Sequence, residues 1–256
     1  MHHPGAPSVV APSLDPGPAA EKNIGAIILA NDMVSERELR AFLPTEGVNL
    51  YATRIPCDVE GSVSALEAMA GHLAEASSRL IPAERLDAVI FSCTSGTAAI
   101  GFPRIEAAIK AAHRHSTAIT PLTASFDALR HMAARRIAIL TPYALDVHAM
   151  MLSLYRDEGF DVVDSATFDA GREDIVRRIS PDSILQSAAA LDLSQADAVF
   201  ISCTTFRCAE MIESLESRCD KPVVTSNQAS AWAALRAAGI GAAPRSRGRL
   251  FCEAQP

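Results

Sequence analysis

The sequence predicts an α/β protein of two similar halves, each a four-stranded parallel sheet flanked by helices, with a cleft between them. Three observations lead there. First, Asp87-Ala88-Val89-Ile90-Phe91-Ser92-Cys93-Thr94-Ser95 returns as Asp197-Ala198-Val199-Phe200-Ile201-Ser202-Cys203-Thr204-Thr205. Second, the copies keep a nearly constant offset. The cysteines are 110 residues apart (203 − 93), the first strands 113 (137 − 24), the second strands 112 (160 − 48) and two Ala-Leu-Arg helices 106 (234 − 128). Third, strand-like apolar runs alternate with helical spacing, and 5% aromatic content among 49% hydrophobic residues suits packed helices and strands better than a sandwich. Such an offset, held across a whole half, marks an internal duplication. Strand–helix alternation within each half gives a small parallel sheet covered on both faces.

Taken in order, Ile24 to Ala30 reads as the first strand. Ser35 with Glu38 three residues on predicts a capping box, with Leu39, Phe42 and Leu43 on the buried face of a short helix. Glu36, Arg37, Glu38 and Arg40 read as its solvated face. Val48 to Ile55 is the second strand; Gly61 and Ser62 open a helix in which Leu66, Met69, Leu73 and Leu80 recur at helical spacing. The first Ser-Cys-Thr strand follows, then a helix from about Pro103, a brief strand at Ala118 to Thr120 and a helix through Phe126 and Leu129. The second half repeats the pattern. Ile137 to Thr141 is a strand, a helix through Val147 and Met151 ends near Gly159, and Phe160 to Phe168 is strand-like. Helical segments flank Pro181, and the second Ser-Cys-Thr strand leads to a helix with Met211, Ile212 and Leu215. Pro222 to Thr225 and Ser230 to Ala238 close the series, and a basic, loosely held tail runs from Gly241. Residues 1–22, rich in Pro, Ala and Gly, read as a disordered leader. The expected division is 23–123 plus 226–250 for one lobe and 124–225 for the other.

The net charge of −7 argues against a nucleic-acid surface or an anionic membrane as partner, since both require clustered Lys and Arg. No apolar run approaches the roughly 20 residues of a membrane helix. No secretory leader is evident either, so a reducing cytoplasm is the expected location for the six cysteines. Cys57, Cys93, Cys203, Cys208, Cys219 and Cys252 form no Cys-x-x-Cys pair, which argues against zinc. No Gly-x-Gly-x-x-Gly follows either first strand, which sets aside a dinucleotide. Of the seven histidines, those at 72, 113, 115, 131 and 148 read as surface or internally satisfied side chains.

Ligands of such sheets bind beyond the C-terminal strand ends, so Cys93 and Cys203 should meet at one cleft. A thiol at a helix start feels the positive end of the dipole, which favours thiolate. One sulfur can then take a proton from carbon while the other delivers one to the opposite face, or a sulfur can add to an activated double bond. Either route requires a substrate carboxylate held by donors. Thr94, Ser95, Gly96 and Thr97 flank one thiol, Thr204 and Thr205 the other. The plain alternative is that both cysteines are small buried hydrophobes; duplication of their polar surroundings argues against it.

Four segments carry a family resemblance: Ser92-Cys93-Thr94-Ser95-Gly96-Thr97, Leu140-Thr141-Pro142-Tyr143, Ser202-Cys203-Thr204 and Pro222-Val223-Val224-Thr225-Ser226-Asn227-Gln228-Ala229. With them the chain resembles the aspartate/glutamate racemase superfamily, in its maleate isomerase and arylmalonate decarboxylase branch, most of all the ectoine-utilisation proteins. The resemblance implies two Rossmann-like lobes and no cofactor or metal. It makes Cys93 and Cys203 the catalytic pair and Asn31, Thr94, Ser95, Tyr143 and Thr204 the substrate-binding set. Decarboxylases of the branch keep only the second cysteine, so Cys93 favours isomerase or racemase chemistry. At Asp169 those isomerases place a substrate-binding Asn; a carboxylate there repels a dianion and argues against maleate.

The expected function is a cofactor-independent isomerase or racemase of a small carboxylate, with a hydroxyectoine-like cyclic amino acid as the implied substrate. Decarboxylation of an arylmalonate and non-catalytic metabolite binding are the alternatives. A homo-oligomer is compatible with this reading. Arg54, Arg207 and Asn227 remain candidates for supporting roles.

Overall fold

The computed structural model describes residues 9–82, 84–241 and 248–252. Its first sheet consists of β1 (Lys22–Leu29), β2 (Val48–Ile55), β3 (Ala88–Phe91) and β4 (Thr117–Ile119), all parallel, in the order β2-β1-β3-β4. The second consists of β5 (Arg136–Thr141), β6 (Asp161–Thr167), β7 (Ala198–Ile201) and β8 (Val223–Thr225), in the order β6-β5-β7-β8. The two orders are the same, as a duplication requires. β3 and β7 are the four-residue apolar runs before each Ser-Cys-Thr, and every residue in them is 0% exposed. They are central strands covered on both faces, so an uninterrupted apolar run rather than alternation is what the fold needs there.

The first sheet is flanked by α1 (Ser35–Phe42), α2 (Val63–Ala68), α3 (Ala70–Arg79), α4 (Thr94–Ile100) and α5 (Phe102–Ala112). The second carries α7 (Leu145–Asp157), α8 (Glu173–Val176), α9 (Pro181–Ala189) and α10 (Ile212–Cys219). The last helix of each half crosses over. α6 (Pro121–His131) follows β4 yet packs against β8, while α11 (Ser226–Ala237) follows β8 yet packs on β3, β4 and α1. α6 and α11 also pack against one another, so this exchange joins the carboxyl edges of the two sheets.

Local expectations fail at four places, each for a physical reason. Ser35 is not a cap but the first helical residue of α1, because Asp32 Oδ1 accepts the N–H groups of Val34 and Ser35. Glu38 is not solvated: it is buried, with both carboxylate oxygens accepting the N–H of Ala209. The helix expected from about Pro103 is α5, but an additional helix precedes it: Thr94 already begins α4, and Gly101, at φ 86°, separates the two. No helix follows Cys203 directly; residues 202–208 form a loop, then a 3-10 turn at Ala209–Met211 precedes α10.

At the N-terminal end, residues 1–8 of the expected leader lie outside the described residues. Pro18–Ala20 forms a 3-10 turn, and Lys22 already belongs to β1. At the other end, residues 242–247 and 253–256 also lie outside the described residues. The described tail, α12 (Arg249–Cys252), is docked rather than loose: Leu250 is buried, Phe251 stacks on Phe42 and the Arg249 N–H donates to Glu216. Among the described residues no helix is long and apolar enough to cross a membrane.

Candidate active site

Ser92 and Ser202 are the first residues beyond β3 and β7, so both Ser-Cys-Thr segments emerge at the carboxyl edges of the sheets. They meet at a cavity of about 70 Å³. At ~10–15 Å³ per water that is room for several waters, hence for one small molecule. Cys93, Cys203, Asn31, Thr94, Ser95, Tyr143 and Thr204 all line it, joined by an apolar wall that includes Leu66, Met69 and Val176.

Cys93 is the N-cap of α4, and its sulfur accepts the Gly96 N–H at 3.2 Å. Thr97 fixes the same turn by donating its hydroxyl to the Cys93 carbonyl at 2.6 Å. Gly96 allows this close approach: a Cβ there would lie 2.9 Å from the Cys93 sulfur and 2.6 Å from Met69 Cε. The Ser95 hydroxyl is 3.8 Å from the sulfur. Thr94 and Ser95, at the head of α4, have N–H groups with no acceptor inside the helix, which suits a ligand carboxylate.

Cys203 is held differently. Its φ of 119° is a backbone region that side-chain-bearing residues rarely adopt, costing ~1–3 kcal/mol. The conformation is secured by the Ser226 hydroxyl, which accepts the Cys203 N–H at 3.0 Å, while the Cys203 sulfur accepts the Thr205 N–H at 3.4 Å. Tyr143 lies beside both thiols with its hydroxyl 3.0 Å from Ser202 Oγ. Asn31 is fixed at the mouth by the Cys57 thiol, which donates to its Oδ1 at 2.9 Å.

The thiols are not the low-pKa thiolates that helix placement suggests. Burial pushes Cys93 up to about 12, outweighing the Gly96 N–H and Ser95 hydroxyl that favour thiolate. Burial also raises Cys203, with the nearby Glu173 carboxylate adding to the effect. Burial raises the Tyr143 hydroxyl well above the usual phenol range. Burial therefore favours the thiol form at both positions, and the sulfur that acts as base or nucleophile must give up its proton first. Seven residues do not form a helix dipole strong enough to reverse desolvation at Cys93, and Cys203 has no helix at all.

Ser226 links the two motifs, since its hydroxyl also bonds Thr94 Oγ1 at 2.9 Å. Asn227 supports the second motif by donating to the Thr204 carbonyl at 2.7 Å, and Ser35 donates to the same carbonyl at 3.3 Å. We expect Ser226→Ala to cost about 1–3 kcal/mol, because a buried N–H and a buried hydroxyl lose their shared partner. Urea denaturation checks it; an unchanged midpoint would refute the linkage.

Glu38 braces the Cys203 loop from α1 through Ala209. Burial raises its carboxyl from 4.5 to about 7, with the Ala209 and Cys208 N–H groups and Asn227 opposing. Between those values the native protein keeps a proton that the unfolded chain has released, so stability declines as pH rises through this window. The shift corresponds to a total on the order of 3 kcal/mol. Burial raises Asp32 as well, with the same sign. We expect Glu38→Gln to flatten the fall in unfolding free energy between pH 5 and 8, measured by urea denaturation; equal slopes for both proteins would contradict this origin.

Some candidates lie outside the cavity. Asp169 is exposed and does not line it; the carboxylates that do are Asp58, Glu60 and Glu173, the last four residues on from Asp169. Arg54 donates to the carbonyls of Leu29 and Asp32, and the exposed Arg207 donates to the Ile179 carbonyl from an otherwise largely buried loop rather than a helix. Asn227 is a buried support, not a lining residue. Cys57 and Glu173 line the cavity without having been singled out from the sequence. His113 and His148 are buried and bonded, to Ser77 and Thr141 respectively. No cluster of three or more His, Cys, Asp or Glu able to hold a metal occurs among the described residues.

Comparison with known proteins places this geometry in context. A family model described as arylmalonate decarboxylase matches residues 104–251. The chain is 28% identical over 161 residues to a maleate isomerase from Pseudomonas putida, a match spanning 60% of this chain and 64% of that relative. It is 25% identical over 246 residues to a maleate isomerase from Nocardia farcinica, covering 90% of this chain and 95% of the relative. Among solved structures it superimposes with a TM-score of 0.82, at 22% identity, on a Nocardia farcinica maleate cis-trans isomerase mutant carrying a covalently bound succinylcysteine intermediate. That match covers 90% of this chain and 98% of the other.

Proposed function

Because the chain belongs to the arylmalonate decarboxylase family, we propose that it is a cofactor-independent isomerase or racemase of a small carboxylate, with Cys93 and Cys203 working from opposite sides of the reacting carbon. The observation that carries the proposal is the pair of thiols, one from each copy of the repeat, lining one small cavity. Thr94, Ser95 and Tyr143 hold the substrate carboxylate, Asn31 and Thr204 complete the binding set, and the Thr94 and Ser95 N–H groups stabilise negative charge growing on its oxygens. One sulfur, having lost its own proton to solvent to become the thiolate, removes the α-proton or adds to a conjugated carbon; the other, as the thiol, supplies a proton to the opposite face. A hydroxyectoine-like cyclic amino acid whose stereocentre is inverted is the substrate we favour.

Decarboxylation of a substituted malonate is the second reading, favoured by the description of the matching family. A proton NMR screen of ectoine derivatives, maleate and arylmalonates in deuterated water separates the two. Isomerisation or racemisation shows deuterium entering the α-position or an altered stereocentre or double bond, with all carboxylates kept. Decarboxylation releases carbon dioxide, and that release survives Cys93→Ala. Turnover of arylmalonates alone would replace the first reading with the second.

A further inference from the structure

We infer that Glu173 selects the substrate class: it accepts a hydrogen bond from a cationic or N–H-bearing nitrogen of a zwitterionic small carboxylate, and it disfavours a second carboxylate. This rests on reading the cavity as the active site and names what that site takes. Glu173 Oε1 is buried and has no hydrogen-bond partner within the protein, although the residue lines the cavity beside Thr205 and Cys203. A buried carboxylate oxygen left without a donor is costly, and such an orphan in a binding cavity is what a ligand donor satisfies.

The surrounding charge points the same way. Asp32 and Asp174 both act on Glu173 with like charge. Arg172 also lines the cavity, but its guanidinium is already paired with Glu60, a second lining carboxylate, and with Asp174. Arg177 eases the charge only partly: Glu173 is raised to about 7, chiefly by burial. A ligand nitrogen carrying positive charge relieves this desolvated, acidic corner, whereas a second carboxylate adds repulsion. The backbone fixes the side chain in place, since the Glu173 N–H donates to the Val59 carbonyl and the Gly61 N–H to the Gly171 carbonyl, clasping the two halves over the cavity. Orientation follows from the two ends. The carboxylate goes to Thr94 and Ser95, and the nitrogen goes to Glu173.

Calorimetric titration of the wild-type chain and Glu173→Gln with proline, ectoine, cyclopentanecarboxylate and maleate tests the assignment. Each titration is repeated after alkylation of Cys203 to identify binding in the cavity. In the wild type we expect the zwitterions to bind at least tenfold more tightly than cyclopentanecarboxylate, with maleate weakest. Glu173→Gln should lower that preference at least tenfold and strengthen maleate binding. Cavity binding with no zwitterion preference, or a preference untouched by Glu173→Gln, overturns the role of Glu173 while leaving the active-site reading intact. If alkylation of Cys203 changes binding of no probe, both readings fall together.

Discussion

Replacing Cys203 with alanine is expected to lower kcat/KM by about three orders of magnitude, within the 10²–10⁴-fold span of a lost acid or base. Cys93→Ala should cost a comparable factor, because the repeat gives each half one thiol in the same cavity. Two alternative causes, lost folding and lost chemistry, separate at position 203. Its φ of 119° is favourable for glycine and strained for alanine. Cys203→Gly should therefore be as stable as the wild type or more so, by up to about 2 kcal/mol, and as inactive as Cys203→Ala. Parallel kinetics and thermal denaturation check both halves of this expectation. Normal turnover by any of these variants, Cys203→Gly included, would dismiss the two-thiol mechanism.

Gly96→Ala is the second large effect. The added methyl would lie 2.9 Å from the Cys93 sulfur and 3.2 Å from its Cβ, and 2.6 Å from Met69 Cε. Met69 is a flexible chain end and can swing away, so the stability cost stays small. The sulfur cannot yield without losing the Gly96 N–H that holds it at 3.2 Å. Displacement on the order of an ångström typically costs about a hundredfold in rate. We expect kcat to fall by about that factor while the melting temperature changes little. Adding Met69→Ala should not restore activity, because the clash with sulfur persists. Recovery in the double variant would mean that packing against Met69, and not sulfur placement, is what Gly96 protects.

The fold was readable in the chain because duplication writes the same evidence twice. The apolar runs at β3 and β7 cannot be told from buried helix by periodicity alone, but their shared Ser-Cys-Thr ends and regular offset resolve them. Thr94, Ser95, Tyr143 and Thr204 follow from adjacency to strand ends and from family resemblance, and all line the cavity. What escaped is long-range. Glu173 starts a four-residue helix with no repeat partner and no periodicity, so nothing local distinguishes it from surface acids such as Asp174. Glu38 looked solvated because its acceptor role depends on Ala209, 171 residues away. The altered pKa of each thiol escaped for the same reason: a helix start is visible in sequence, whereas desolvation is set by everything packed around it. Cys203 shows the limit of the repeat itself. Its motif copies that of Cys93, yet its loop reaches α10 only after eight further residues, and the two sulfurs are held by different devices.

A crystal structure of Cys93→Ser protein, bound to the carboxylate that turns over in the NMR screen, bears most directly on the central claim. That claim is the proposal that two thiols contributed by duplicated halves address a single carbon from its two faces. The account predicts density in the cavity, with the carboxylate on the Thr94 and Ser95 N–H groups and the reacting carbon between the position-93 side chain and the Cys203 sulfur. A ligand bound elsewhere, or one whose reacting carbon contacts one of these positions while packed side chains screen the other, would contradict it.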